Sequence, residues 1–370
     1  MREIDLLPIG RDANKPGGAE WRISSSPALQ GLPEHLSSKT DLYQATITLS
    51  GPGINHEATV FCDDKKALKN LEEYFKANSV NVGQVVGVSV GEAIPNITYI
   101  IGNGLKIEDE RIGELGLPYE GIHDINGKNF VAVGKSSVGT FKSLVIGALS
   151  GIQANQKDDL PVHSSILVNP DGQAVAISGR GNTGKTTTLL MLQEHLLRRG
   201  YKVITDDWAF IGESDRKISP VDFLAGIREE SFPGLLGEQP TKAMLAVIEK
   251  LKTSLKEGGG IPLSVFDIFG LENTSLTGTL RAVIFTSVVP RPNEILFEPI
   301  GTSDQMGARL RSDAYHSPTI PRKIGEDDLP SRYCNLVKEL KCSYLYTRAQ
   351  NKDRLKQAEM VLKWMDQIGV

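Results

Sequence analysis

The chain has 370 residues, 40% hydrophobic and 23% charged, with a formal net charge of −4. That length exceeds one ordinary hydrophobic core and suits two domains, and the composition is that of a folded chain, not a disordered one. The slight acidity argues against a general nucleic-acid binder, which carries a basic face. The cysteines Cys62, Cys334 and Cys342 are odd in number and lack CxxC spacing, which argues against a disulfide framework or a zinc site.

Residues 1–40 carry scattered Gly, Pro and Ser without a period and read as an irregular lead-in. The opening MREIDLLPIGRD holds no apolar stretch of signal-peptide length. No window approaches the ~20 apolar residues of a membrane span, so the expectation is a cytoplasmic protein that does not contact the membrane. From residue 41 the pattern changes. Tyr43, Ala45, Ile47 and Leu49 alternate with polar residues as in a half-buried strand, and residues 58–62 supply a partner. Residues 65–78 have helical spacing, and 82–90 and 97–101 read as further strands. The segment 41–155 is thus expected to be a separate α+β domain, and no chemical motif is legible in it.

A helical segment over 138–154 leads towards Pro161, near which a domain boundary is expected. The region 156–345 carries the chemistry. Two short apolar runs, 166–168 and 174–177, flank Asn169-Pro170-Asp171-Gly172. Pro fixes one φ in that tetrapeptide and Gly permits a positive one, so it predicts a hairpin. The second strand enters Gly179-Arg180-Gly181-Asn182-Thr183-Gly184-Lys185-Thr186, a G-x-x-x-x-G-K-[ST] match. A helix over 186–199, stopped by Gly200, follows. Strand, loop and helix together give the motif its meaning. Glycines let successive N–H groups point at phosphate oxygens, and the helix N-terminus adds its positive dipole end. Lys185 is a mobile cation for the β- and γ-phosphates, and the Thr186 hydroxyl, followed by Thr187, is placed to ligate Mg²⁺. Gly134-Lys135-Ser136 is a decoy, because Asn129 stands where the first glycine would be.

Next comes a strand over 201–205, ending directly in Asp206-Asp207. One carboxylate beside the phosphate loop can reach a metal, and its neighbour can take a proton from an attacking hydroxyl. The acidic pairs at 63–64, 158–159 and 327–328 lie in polar stretches and read as solvated surface. Residues 212–220 read as a polar loop, 241–256 as a helix ended by three glycines, and 281–287 with 294–298 as a strand pair. Arg180 lies inside the loop, where contact with phosphate and a solvent-facing role weigh equally. Arg228, Arg281, Arg291, Arg309 and Arg311 are candidates for charge neutralisation, with a surface role the simpler reading. Trp208 reads as core packing. Residues 346–370 hold an amphipathic helix over 354–368, with Leu355, Ala358, Leu362 and Met365 on one face.

The order of Val162-His163-Ser164-Ser165-Ile166-Leu167-Val168, the phosphate loop, Arg199-Gly200 and Asp206-Asp207 resembles the catalytic core of the HPr kinase/phosphorylase family, whose fold is shared with phosphoenolpyruvate carboxykinases. The resemblance spans about 162–211. It implies an α/β P-loop kinase core with ATP and Mg²⁺ as cofactors. It also implies an active-site role for His163, a nucleotide cradle over Gly179–Thr187, and Asp207 as proton acceptor with Asp206 nearer the metal. The sequence departs from the family at its Glu-Ile-Arg segment, where Gly226 takes the place of the metal-binding glutamate. Either Glu229 or Glu230 substitutes, with Glu230 the candidate ligand, or that ligand is missing. The family's phosphorylase activity is in doubt on that ground. The expected activity is transfer of the γ-phosphoryl group to a small hydroxylated metabolite, favoured over a seryl residue of a carrier protein. A P-loop ATPase without an acceptor is the runner-up, and a non-catalytic nucleotide-binding module is a third reading. Self-association as a homo-oligomer is left open.

Overall fold

The computed structural model describes residues 159–180, 183–220, 224–227, 245, 261–288, 296–299, 302–314, 329–347 and 354–370, together with six earlier strands. Those strands are β1 (Ile23–Ser24), β2 (Tyr43–Gly51), β3 (Ile54–Cys62), β4 (Ile94–Gly102), β5 (Gly121–Asp124) and β6 (Asn129–Val133). They form one sheet in the order β1-β5-β6-β4-β3-β2. The alternation after residue 41 becomes the antiparallel pair β2–β3, with Tyr43 opposite Cys62. The helices expected over 65–78 and 138–154 and the strand over 82–90 lie outside the described residues, as does the helix expected over 241–256 except for Leu245, which is helical.

The second sheet is built from β7 (Asp159–Val168), β8 (Gln173–Ser178), β9 (Lys202–Thr205), β10 (Trp208–Gly212) and β11 (Ile218–Pro220). After the separate pair β12 (Leu224–Ile227) and β13 (Ile261–Ser264) it continues with β14 (Thr279–Val288), β15 (Leu296–Pro299) and β16 (Lys341–Thr347). Its order is β11-β10-β7-β8-β14-β16-β15, with β9 also on β7. β8, β14 and β16 run parallel, while β7 and β15 run against them. The expected pairing of 281–287 with 294–298 is corrected here, because β16 lies between β14 and β15. Alternation shows that a segment is a strand, but it does not name the neighbour. The expected polar loop over 212–220 also ends in β11, whose Ile218 is fully buried.

Turn chemistry sets the β7–β8 hairpin. The Asn169 side-chain oxygen accepts from the backbone N–H groups of Asp171 and Gln173, and Gly172 takes a φ of 78°. An Asn that caps its own turn leaves the strands little freedom of register. After β8 the helix Lys185–Arg198 lies on one sheet face. Its Leu189, Leu192 and Leu196 join Leu167, Val175, Ile177 and Ile284 in one core. Each such leucine contributes about 1.5–3 kcal/mol on full burial, more than any helix propensity along the segment. The helix Arg354–Ile368 covers the same core with Ala358, Val361, Leu362 and Met365, close to the expected face. Gly200, at φ 81°, ends the phosphate-loop helix: its N–H bonds to Leu197 O and that of Tyr201 to Leu196 O. This is the Schellman arrangement for which glycine is suited. The alternate sheet residues, Ala176, Val283 and Phe285 among them, are buried as well. On that side the helix Ser303–Ala314 packs against β7 and against the helix Leu329–Val337. No helix among the described residues is long and apolar enough to cross a membrane.

Candidate functional site

The loop after β8 opens at the carboxyl end of the parallel strands, where open α/β sheets place ligands. Because β7 is antiparallel to β8, with Ser164 paired to Ser178, His163 arrives at that same end. β9 and β10 run along the other edge of β7 almost as one strand. Thr205 pairs with Ile166 and Trp208 with His163, so the register brings Asp206 opposite Ser165. The N–H of Ser164 donates to the carbonyl of Asp207 at 2.7 Å. Asp206-Asp207 is therefore an interruption in a continuous edge, and its two side chains find different partners.

Asp206 is buried. It accepts from Ser165 Oγ at 2.5 Å and from Thr186 Oγ1 at 2.7 Å. Burial pushes its carboxyl up to about 6 against the lowering effect of those two hydroxyls. Asp207 instead faces His163, whose Nε2 lies 2.8 Å from Oδ1, and its side chain retains 21% exposure. The imidazole stacks on Trp208, centroids 5.2 Å apart and planes 14° apart. Burial, with the nearby Lys185 charge, holds its pKa below the ordinary value, which favours the neutral ring. Trp208 thus packs as expected, but it packs against a site residue.

Lys185 is buried, and its ammonium donates to the carbonyls of Gly179 at 2.9 Å and Arg180 at 3.3 Å. Gly184 holds φ 96° as N-cap, and no side chain caps the helix start, so the first N–H groups are left to other acceptors. Gly179 cannot carry a side chain in place: a Cβ there would lie 2.3 Å from Thr183 Oγ1 and 2.4 Å from Thr286 Oγ1. Thr187 is half-buried on the first helical turn. Gly181, Asn182 and both glutamate candidates, Glu229 and Glu230, fall outside the described residues. Lys185, Thr186, Asp206, Asp207 and His163 are brought together.

Sequence reading missed Ser165, which stands two residues from His163 on the same strand. It also missed Thr286 and Asp313. Arg309, a candidate for charge neutralisation with a surface role as the simpler expectation, pairs through Nε with Asp313 Oδ2 at 3.1 Å and donates to Thr286 O at 3.1 Å. Arg180 reaches Ser312 Oγ at 2.9 Å. Thr286 and Asp313 belong to no motif, and only the fold brings them near residues more than 100 positions earlier.

Among the described residues no group of three or more His, Cys, Asp and Glu side chains could hold a metal ion. A Mg²⁺ seat asks for less, one or two protein oxygens completed by phosphate and water. The touching oxygens of Thr186 and Asp206 fit that requirement.

No family model matches the chain, and no curated protein matches it. Solved structures do match, among them the Hpr(Ser) kinase/phosphatase from Coxiella burnetii. It is 12% identical, covers 56% of this chain and 92% of that chain, and superposes with a TM-score of 0.29. So distant a likeness carries no inference about activity.

Proposed function

We propose that the chain is an ATP-dependent phosphotransferase acting on an alcohol. The observation that supports this reading is the contact between Thr186 and Asp206 with Asp207 on His163 beside it. A hydroxyl and a carboxylate suited to a metal stand next to a half-open carboxylate suited to a proton. Bound ATP and Mg²⁺ would supply the phosphoryl group and neutralise its charge. Thr186 and Asp206 would hold the metal, and the cradle over Gly179–Thr187 with Lys185 would hold the phosphates. Asp207 takes the acceptor's hydroxyl proton as the oxygen attacks in line, and His163 orients Asp207 through its Nε2–H. The ammonium of Lys185 donates to the carbonyls of Gly179 and Arg180, and it would give these up for phosphate oxygens with ATP bound.

The acceptor we favour is a small hydroxylated metabolite over a seryl residue of a carrier protein. The motive is Gly226, which stands where the resembled family has a metal-binding glutamate. A screen of γ-labelled ATP against metabolite pools and small carrier proteins tests the reading. Label on a metabolite supports it, and label on a protein moves the acceptor. Label released only as inorganic phosphate, at a rate no acceptor changes, points to an ATPase and overturns it. Lys185→Ala should abolish turnover in a chain that still folds, and undiminished turnover would refute the loop assignment.

A further inference from the structure

Asp313 is fully buried in the last turn of the helix Ser303–Ala314. Two effects oppose a carboxylate there: loss of water, and the negative end of the helix dipole. What compensates is the phosphate loop and its surroundings. Arg309 Nε lies 3.1 Å away, and Ser178, the residue before Gly179, donates its hydroxyl at 3.3 Å. Burial still holds the carboxyl above its ordinary value, with Arg309 and then the Lys185 charge opposing that rise.

The contacts continue into a closed ring. Arg309 donates to Thr286 O, and the Thr286 hydroxyl lies 3.0 Å from that of Thr183 and 3.1 Å from Ser178 O. Thr183 donates to Arg180 O at 2.7 Å, and the Arg180 guanidinium returns to the same helix at Ser312. Loop, β14 and helix therefore restrain one another, and of the side chains involved Thr286, Arg309 and Asp313 have no part in the proposed chemistry.

We propose that Asp313 and Arg309 are positioning residues that fix the phosphate loop and the resting place of the Lys185 ammonium. This inference rests on the loop being a nucleotide site. It makes a prediction opposite in sign to simple electrostatics. Deleting a negative charge near a diphosphate should tighten binding if charge alone acts, whereas deleting a positioning group should weaken it.

The test is calorimetric titration of ADP without metal into the full chain, with thermal unfolding of each variant. Asp313→Asn keeps the shape and removes the charge. Arg309→Lys keeps the charge and removes the bond to Thr286 O. Each should weaken ADP binding about tenfold, the worth of one charge-assisted hydrogen bond. If the wild type binds ADP, Lys185→Ala weakens it, and both variants bind as well as the wild type or better, the positioning role is overturned while the nucleotide reading survives. No ADP binding, or binding that Lys185→Ala leaves intact, sinks both. Should Asp313→Asn fail to fold, Thr286→Val decides, since it changes no charge. Weaker ADP binding by that folded variant supports the ring, and unchanged binding overturns it.

Discussion

Nε2 of His163 lies 2.8 Å from Oδ1 of Asp207, and the imidazole stacks on Trp208, its cross-strand partner. An uncharged histidine held this way donates one hydrogen bond to the carboxylate and keeps it aimed, without removing its charge. If Asp207 is the base, Asp207→Asn should lower kcat by about 10²–10⁴ with Mg·ATP affinity preserved. His163→Gln should cost less, about ten- to hundredfold in kcat, because it removes one orienting hydrogen bond. Steady-state kinetics with the identified acceptor checks both. If Asp207→Asn loses nucleotide affinity while Asp206→Asn does not, the two carboxylates have exchanged roles.

The raised Asp206 carboxyl makes a prediction about stability. Its folded pKa of about 6 stands above the ordinary 3.8, so between those values the native chain binds more protons than the unfolded one. Stability therefore falls as pH rises through that window and stays lowered above it. The difference is worth on the order of 3 kcal/mol at neutral pH. Asp206→Asn should raise Tm at pH 8 in EDTA, and the gain should vanish near pH 4. Equal Tm values at pH 8 would show that the carboxylate is not strained by burial. His163 has the opposite slope: its lowered pKa makes the fold lose stability as pH drops below the ordinary histidine value. His163→Gln should flatten that limb.

Local rules made much of this site readable. Asn169–Gly172 names its own turn, the G-x-x-x-x-G-K-T run names a loop between strand and helix, and Gly200 names the helix stop; all three appear in the structure. Each depends on residues within a few positions of one another. Ser165 was within reach, since a strand period of two from His163 puts it on the same face, but a lone serine carries no signal without Asp206 opposite it. β16 went unread, and with it the true neighbour of β14. Asp313 was unreadable in principle, because its meaning comes from Ser178, 135 residues away, and only the packing of a helix on the sheet supplies that.

Gly200→Ala tests whether the helix stop matters for stability alone. The residue holds φ 81°, and a Cβ there would meet Pro170 Cγ at 3.1 Å. The left-handed backbone costs a non-glycine residue about 1–2 kcal/mol, and the contact with the hairpin turn adds to it. Tm should fall accordingly. Lys185 sits at the far end of the same helix, so ADP affinity of the folded variant should stay within about twofold of wild type, since separate sites act independently. A large loss of affinity would mean that the hairpin turn and the loop are coupled.

Gly179→Ala should do the reverse. Gly179 has no positive φ to protect, so the conflict is purely steric: the new methyl would sit 2.3 Å from Thr183 Oγ1 and 2.4 Å from Thr286 Oγ1, with Thr286 O at 3.1 Å. Hydroxyls can rotate away from a methyl, but a backbone carbonyl in the middle of β14 cannot, so the loop must move and its tie through Thr183 to Arg180 O must break. ADP affinity should fall at least about tenfold, the worth of one hydrogen bond from the displaced loop to a charged phosphate, and Tm should change little. Gly172→Ala makes the contrast, since nothing lies within 4 Å of its Cβ and its φ is +78°. That change strains the hairpin turn and should lower Tm while leaving ADP affinity alone. If both alanines lower Tm and neither touches affinity, the close approach at Gly179 serves packing, and the loop does not need that shape to hold a phosphate.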